Sequence, residues 1–247
     1  MTLNVVGVVC ALASEARHLG PATRRHEPVA ALADGTLLAV SGMGRAAAAH
    51  SARALIDAGA DALVSWGMAG GLDPALTAGT IFLPSEVISR DGVEMTTATA
   101  WRERLGAAIA DQDTQQKPVK IQGRLLTSLK AVASAAEKAM LFRETRAAAV
   151  DMESLAVAEA AQTRQLPFIA VRVIVDSAQD ALPRAVTAAA DVEGHLKVWR
   201  LMAALARTPT DLAALMRLAQ RYRAANRSLA AVARVGSLAP YAMESVS

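Results

Sequence analysis

Three carboxylates stand where strand-like runs give way to a turn or helix, positions from which a carboxylate can orient water, hold hydroxyls or carry a proton. Glu15 lies in Ala11-Leu12-Ala13-Ser14-Glu15-Ala16-Arg17, directly after the apolar run Val5–Leu12. It reads equally as a group facing a crevice at the sheet's C-terminal edge, where open α/β sheets bind ligands, or as a helix-start acid complementing the dipole. Glu153, in Val150-Asp151-Met152-Glu153-Ser154, sits where a strand runs into a helix. It can accept two hydrogen bonds from vicinal hydroxyls, with Met152 offering a soft contact to a ring face; capping the helix start is the plainer use. Asp176 closes the run Val171-Arg172-Val173-Ile174-Val175. Partial desolvation there raises an acid's pKa and suits it to protonate a leaving group; capping the next turn is the alternative. Two glycine turns, Ser41-Gly42-Met43-Gly44-Arg45 and Gly67-Met68-Ala69-Gly70-Gly71, complete the set. Glycine lets backbone amides approach an anion closely, yet neither turn fits the dinucleotide fingerprint or the Gly-Lys-Ser/Thr phosphate loop.

The elements that must carry these residues alternate. Short apolar, β-branched runs predict strands at Val5–Leu12, Leu37–Val40, Ala62–Trp66, Thr80–Leu83, Lys120–Leu126 and Phe168–Val175. Ala-rich stretches with helical periodicity predict helices at Arg45–Ala58, Trp101–Asp111, Lys130–Glu144 and Met152–Arg164. Such alternation points to an α/β fold with a mostly parallel sheet and helices on both faces. Loops are short and nothing reads as a linker, so residues 1–247 are expected to form one domain. The alanine bias reads as base composition more than structure. Residues 186–235 carry no strand signal and read as a mostly helical C-terminal extension. Thr208, Pro209 and Asp211 look like a helix start, followed by an apolar stripe of Leu212, Leu215, Met216, Ala219 and Tyr222. A core-packing helix is the plain reading of that stripe; its flanking arginines leave room for lipid-surface or partner contact.

Composition removes several function classes. Hydrophobic residues reach 53%, but no uninterrupted apolar run approaches a bilayer span, and the N-terminus lacks signal-peptide features. A single cysteine, Cys10, excludes an internal disulfide framework and fits a reducing compartment, so the cytoplasm is the expected location. The net charge of +3 is spread over scattered arginines, and aromatics make up 3% of residues. That argues against a nucleic-acid binder, which needs a basic stripe or stacking platforms. The four histidines, His18, His26, His50 and His195, lack ligand spacing, so no metal is expected.

Taken together and in order, the four segments resemble the purine nucleoside phosphorylase and uridine phosphorylase family, which includes the methylthioadenosine/S-adenosylhomocysteine nucleosidases. The similarity runs from about Val5 to about Asp180 and is most specific in Val150–Ala158 and Val171–Asp180. It implies a nucleoside phosphorylase-like fold: a single-domain three-layer α/β/α sandwich with a mixed, partly barrel-like central sheet. It also implies cleavage of a riboside by phosphate or water, with no cofactor beyond phosphate as a possible co-substrate. By the same resemblance Glu153 looks like the ribose-binding glutamate, with Met152 under the sugar. Asp176 looks like the aspartate that protonates the departing purine, and Glu15 like the glutamate that positions water in the nucleosidase branch. Gly67, Met68, Ala69 and Gly70 fall along the nucleophile site, and Val132 falls near the base.

One departure stands out. Where the family's glycine turn carries a serine and, in many phosphorylases, an upstream arginine, this chain has Met68 and Ser65. Arg45 is the candidate replacement as anion ligand, a surface arginine at a helix start being its plainer reading, and phosphate against water stays open.

The segment Cys10–Ala16, the turn Ser65–Leu72 and the helical tail resemble the hopanoid-associated phosphorylase subgroup. That likeness implies release of adenine from adenosylhopane, a possibly lipid-linked substrate, and peripheral membrane contact. The alternatives are a soluble methylthioadenosine/S-adenosylhomocysteine nucleosidase and a catalytically silent nucleoside- or lipid-binding protein. Family members commonly assemble as homo-oligomers, which is the expectation here.

Overall fold

A computed structural model describes residues 5–26, 28–112, 118–181, 211–235 and 238. The strands are β1 Val6–Cys10, β2 Ala22–His26, β3 Val29–Leu32, β4 Leu37–Val40, β5 Ala62–Gly71 and β6 Ile81–Phe82. They continue with β7 Glu86–Ile88, β8 Glu94–Thr96, β9 Val119–Lys120, β10 Arg124–Thr127, β11 Ala147–Asp151 and β12 Phe168–Asp176. The helices are α1 Ala13–Ala16, α2 Arg45–Asp57, α3 Thr99–Gln112, α4 Ala135–Thr145, α5 Ser154–Thr163 and α6 Asp211–Arg234. A 3-10 turn, Arg17–Leu19, follows α1.

All these strands join one sheet, ordered β2-β3-β4-β1-β5-β11-β10-β7-β8, with β12 pairing β5 on a branch that continues through β6 to β9. β1 runs parallel to β4 and β5, and β5 parallel to β12. β11, however, pairs β5 antiparallel, as do β2–β3, β3–β4 and β7–β8 with each other. The sheet is therefore mixed, as the family resemblance implies, and less parallel than the strand–helix alternation alone suggests. Three of the antiparallel pairs, β2–β3, β3–β4 and β7–β8, are hairpins toward the sheet margins, which need no crossover helix, whereas β5–β11 and β6–β12 join strands distant in sequence.

Alternation of side chains along each strand splits the core in two. Val9 and Leu63 pack on one side with Ala48, Ala52 and Leu55 of α2 and Leu155 and Ala156 of α5. Val8, Val64 and Trp66 pack on the other with Trp101 and Leu105 of α3 and Ala225, Leu229 and Val232 of α6. The alanines have a structural use after all: Ala48, Ala52, Ala156 and Ala161 are almost wholly buried where α2 and α5 meet the sheet.

Three expectations change. Gly67–Gly71 is the continuation of β5, with Gly70 and Gly71 paired to Val150 and Ala149, and is not a turn. The run Lys120–Leu126 is split into β9 and β10 by Gly123, whose φ of 121° is in the left-handed region that favours glycine. On α6 the predicted stripe does not face inward throughout: Met216 is 59% exposed, while Ala225, Leu229 and Val232 further along are buried. The apolar face of that second half is thus taken up by the protein's own core. Residues 182–210, including Thr208 and Pro209, lie outside the described residues. Among the described residues no helix is long and apolar enough to cross a membrane.

Candidate active site

Glu15, Glu153 and Asp176 come from three distant parts of the chain and line one cavity of about 230 Å³ at the C-terminal ends of β1, β11 and β12. Met43, Met68, Ala69, Gly70, Val132 and Met152 share its walls.

Glu15 sits in the single turn of α1, 4% exposed. Its Oε2 accepts from the Leu12 N–H (3.1 Å), so it does cap its own helix, but its Oε1 accepts from the Met68 N–H (2.9 Å). The Trp66 indole N–H fixes the Glu15 carbonyl at 3.2 Å. This approach of helix to strand requires Gly67, where a Cβ would lie 2.9 Å from Glu15 Oε1. Each carboxylate oxygen keeps an acceptor site for a further partner. Burial raises the Glu15 pKa, against the pull of the Arg172 charge and the two amides.

Glu153 precedes α5 without capping it; the α5 N-terminus is served by Asp151 Oδ2, which accepts from the Ser154 N–H at 3.1 Å. Released from that duty, Glu153 Oε1 accepts from the Gly44 N–H at 2.8 Å, and Oε2 accepts more weakly from the Met152 N–H at 3.3 Å. Gly44, with φ 98°, is what the true glycine turn Ser41–Gly44 contributes. Burial first, and then the Asp151 charge, push the Glu153 pKa up to about 7.

Asp176 likewise leaves capping to a neighbour: Asp180 Oδ2 accepts from the Ser177 N–H (2.9 Å) and hydroxyl (2.8 Å). Asp176 Oδ2 instead meets the ammonium of Lys138, a fully buried side chain of α4 that also donates to the Ser177 carbonyl at 2.8 Å. Burial raises the Asp176 pKa, and Lys138 opposes the rise.

Behind the cavity lies a buried polar network. Arg172 Nε and Nη2 donate to Asp151 Oδ2 at 2.9 and 2.7 Å, and Nη2 also reaches Ser65 Oγ (2.7 Å) and Ser154 Oγ (2.9 Å). Thr127 donates to Asp151 Oδ1 at 2.7 Å. Burial works against the Arg172 charge, yet Asp151, Glu153 and Glu15 together push its pKa up. The guanidinium thus places a fixed positive charge behind two cavity carboxylates. Among the described residues no group of three or more His, Cys, Asp or Glu is arranged to hold a metal ion.

Arg45 is not brought to the cavity: its guanidinium pairs with Glu159 of α5 at 2.5 Å. That geometry leaves Arg45 outside the cavity lining, at the start of α2. Gly67 acts through Glu15 and does not line the wall. Sequence reasoning assigned no role to Lys138, Asp151, Ser65 or Arg172. Arg172 had a signal, since an arginine inside an apolar strand demands a buried acceptor; Lys138, in an Ala-rich helix, had none.

A model of the phosphorylase superfamily matches residues 7–208, so the chain belongs to that superfamily and is a nucleoside phosphorylase or nucleosidase. The fold is similar to that of the 5′-methylthioadenosine/S-adenosylhomocysteine nucleosidase of Neisseria meningitidis in complex with methylthio-immucillin-A. That likeness has a TM-score of 0.69 at 19% identity, over 94% of this chain and 98% of the other. It is also similar to futalosine hydrolase of Helicobacter pylori (TM-score 0.63, 19% identity, 71% of this chain and 86% of that one). A third likeness is to the adenine complex of the 5′-methylthioadenosine/S-adenosylhomocysteine nucleosidase of Colwellia psychrerythraea (TM-score 0.61, 24% identity, 70% and 83% covered). At these identities the likeness concerns the fold.

Proposed function

We propose that the protein hydrolyses the N-glycosidic bond of an adenine nucleoside. The observation that carries this reading is the convergence of Glu15, Glu153 and Asp176 on one methionine-lined cavity, each freed from or exceeding a capping role. Bond cleavage builds positive charge on the sugar and negative charge on the departing base. Glu153, ionised above about pH 7, accepts from the ribose hydroxyls and faces the developing cation, with Met152 against the ring. Asp176 delivers a proton to the base, help typically worth about 10²–10⁴ in rate. Val132 packs near the base. Glu15 orients a water on the side of Met68, Ala69 and Gly70 and takes its proton as the new C–O bond forms.

Water is favoured over phosphate by the cations. Arg172 is committed to Asp151, Ser65 and Ser154, and Arg45 to Glu159. Among the described residues that leaves the exposed Lys130 as the cationic lining residue.

The reading of the substrate class is supported by a largely apolar groove of about 840 Å³ lined by Ala13, Ala16, Pro21, Val29, Leu38 and Val40, with Arg17 also on its wall. It begins one residue beyond the cavity-lining Leu12, and Leu12 and Val40 are 38% and 46% exposed. This suits an adenosyl compound with a large apolar 5′ substituent, such as adenosylhopane. A methylthioadenosine/S-adenosylhomocysteine nucleosidase is the second reading, favoured by the fold likeness.

The test is adenine release from adenosylhopane, methylthioadenosine and adenosine, each with and without phosphate. Release independent of phosphate, lost in Glu15→Gln, is expected. Strict dependence on phosphate with formation of a sugar 1-phosphate refutes hydrolysis, and preference for methylthioadenosine selects the second reading.

A further inference from the structure

We propose that the outward face of α6 docks on an anionic lipid surface through a row of arginines, Arg223, Arg227 and Arg234. This does not depend on the hydrolytic reading above. Its first basis is where the charge sits. Between Leu212 and Arg234 the sequence holds five arginines and no acidic residue. The rest of the chain has 21 basic side chains against 23 acidic ones, a net of −2, so this helix supplies the whole positive balance of +3. Charge gathered on one element, and not spread evenly, points to an interaction face.

Scattered along the sequence, these arginines are brought into line by the helix. At about 100° per residue, the buried Ala225, Leu229 and Val232 fall within about 60° of one another. Met216, Arg223, Arg227 and Arg234 fall within about 40° of one another on the opposite side, in a row about 27 Å long. All four are exposed. Arg221 is spent on Asp180 at 2.5 Å, and Arg217 lies exposed on the flank. Arg223, Arg227 and Arg234 have no ion-pair partner among the described residues. The helix is a firm mount: Tyr222 donates to Ser14 at 2.9 Å, and Asn226 Oδ1 is hydrogen-bonded to His18 Nε2 at 2.9 Å.

A straight, exposed cationic row complements the plane of negative headgroups of an acidic bilayer, and Met216 adds one apolar contact to it. A nucleic acid fits less well. Tyr222 is the one aromatic residue of α6, and its hydroxyl is turned to Ser14, so no stacking platform accompanies the arginines. The apolar face of the helix is already buried against Val8, Val64 and Val171. The helix therefore does not embed in the bilayer as an amphipathic anchor does; it rests on the surface by charge, reversibly and at the mercy of salt.

The experiment is co-sedimentation of the full chain with phosphatidylcholine vesicles, with and without about 30% phosphatidylserine. Folding of each variant is checked by circular dichroism. Wild type should bind the acidic vesicles and not the neutral ones. An arginine near an acidic surface raises partitioning about fivefold, so Arg223→Gln, Arg227→Gln and Arg234→Gln should each weaken binding by about that factor and together by about 100-fold. Raising salt from about 0.1 to 1 M shortens the screening length from about 10 to 3 Å and should release wild type. Wild type that ignores phosphatidylserine, or stays bound at about 1 M salt, overturns the proposal even if the triple variant misfolds. A folded triple variant that binds as wild type does overturns the assignment to α6. Tighter capture by duplex DNA or single-stranded RNA than by the acidic vesicles assigns the row to nucleic acid and overturns it as well. Adenine release is not read in this assay, so its outcome is separable from that of the hydrolytic reading.

Discussion

Replacing Glu153 by Gln should change how stability depends on pH, in a direction and size set by the site. Glu153 is 8% exposed, and its pKa is raised from an ordinary 4.5 to about 7, chiefly by burial and secondarily by the Asp151 charge. A raised carboxyl pKa means that the folded state holds the proton more tightly than the unfolded chain. Its contribution to stability is fully present below pH 4.5 and is lost as pH rises through about 7. At about 1.4 kcal/mol per unit, the loss is on the order of 3 kcal/mol. Gln carries no titrating proton, and its carbonyl oxygen can still accept from the Gly44 N–H. Any offset from the weaker Met152 contact is the same at every pH and cancels. Urea unfolding of wild type and Glu153→Gln at about pH 5 and pH 8 should show the variant gaining about 3 kcal/mol relative to wild type between the two. A relative change under about 1 kcal/mol would refute the claim that Glu153 is a buried, proton-retaining carboxyl in the free protein.

Asp176→Asn should lower adenine release by about 10²–10⁴ while calorimetry still detects substrate binding; wild-type turnover would remove the acid from the mechanism. Gly67→Ala places a Cβ 2.9 Å from Glu15 Oε1, so it should displace that carboxylate from the Met68 N–H. Turnover should then fall by at least about tenfold with the substrate dissociation constant little changed, and an unaltered kcat would show that the position of Glu15 is immaterial. Arg172→Met leaves Asp151 buried without its cation, a loss of about 3–5 kcal/mol in chemical denaturation. The double variant with Asp151→Asn should recover much of that loss, and simple additivity of the two would contradict the coupling.

The sequence was most readable where an element is long and buried. Val6–Cys10 and Phe168–Asp176 stand out as apolar runs rich in valine and isoleucine, and Arg45–Asp57 as an Ala-rich helix, because each packs on both or one whole side. β3 and β8 lie toward the sheet margins, short and largely half-exposed or exposed, so they lack the apolar run that marks a buried strand, and β2, Ala22-Thr23-Arg24-Arg25-His26, carries no such run in its sequence. Gly67–Gly71 was read as a turn because glycine is the usual breaker. Its real cause is tertiary: Glu15 and Asp176 press against positions where a Cβ would intrude. The family resemblance picked out the three carboxylates, and the structure brings them to one cavity. What local pattern does not carry is pairing across tens of residues or more than a hundred. Gly44 with Glu153, Ser65 with Arg172, and the turn of α4 that sends Lys138 inward all depend on the assembled sheet.

The last helix sets a timetable for synthesis. Tyr222 donates to Ser14 at 2.9 Å, next to Glu15, and Arg221 holds Asp180 at 2.5 Å, four residues beyond Asp176. Both braces arrive on α6, whose buried Ala225, Leu229 and Val232 cover the face built from Val8, Val64 and Val171. With elongation at about 5–20 residues per second, the roughly fifty residues from Asp180 to Arg234 take some 3–11 s to make. During that interval the part of that apolar face under Ala225, Leu229 and Val232 lacks its cover, and the two chemical ends of the pocket lack their struts. A ribosome stalled before residue 235 therefore displays a sticky, unbraced product, the stage at which a chaperone has most to protect.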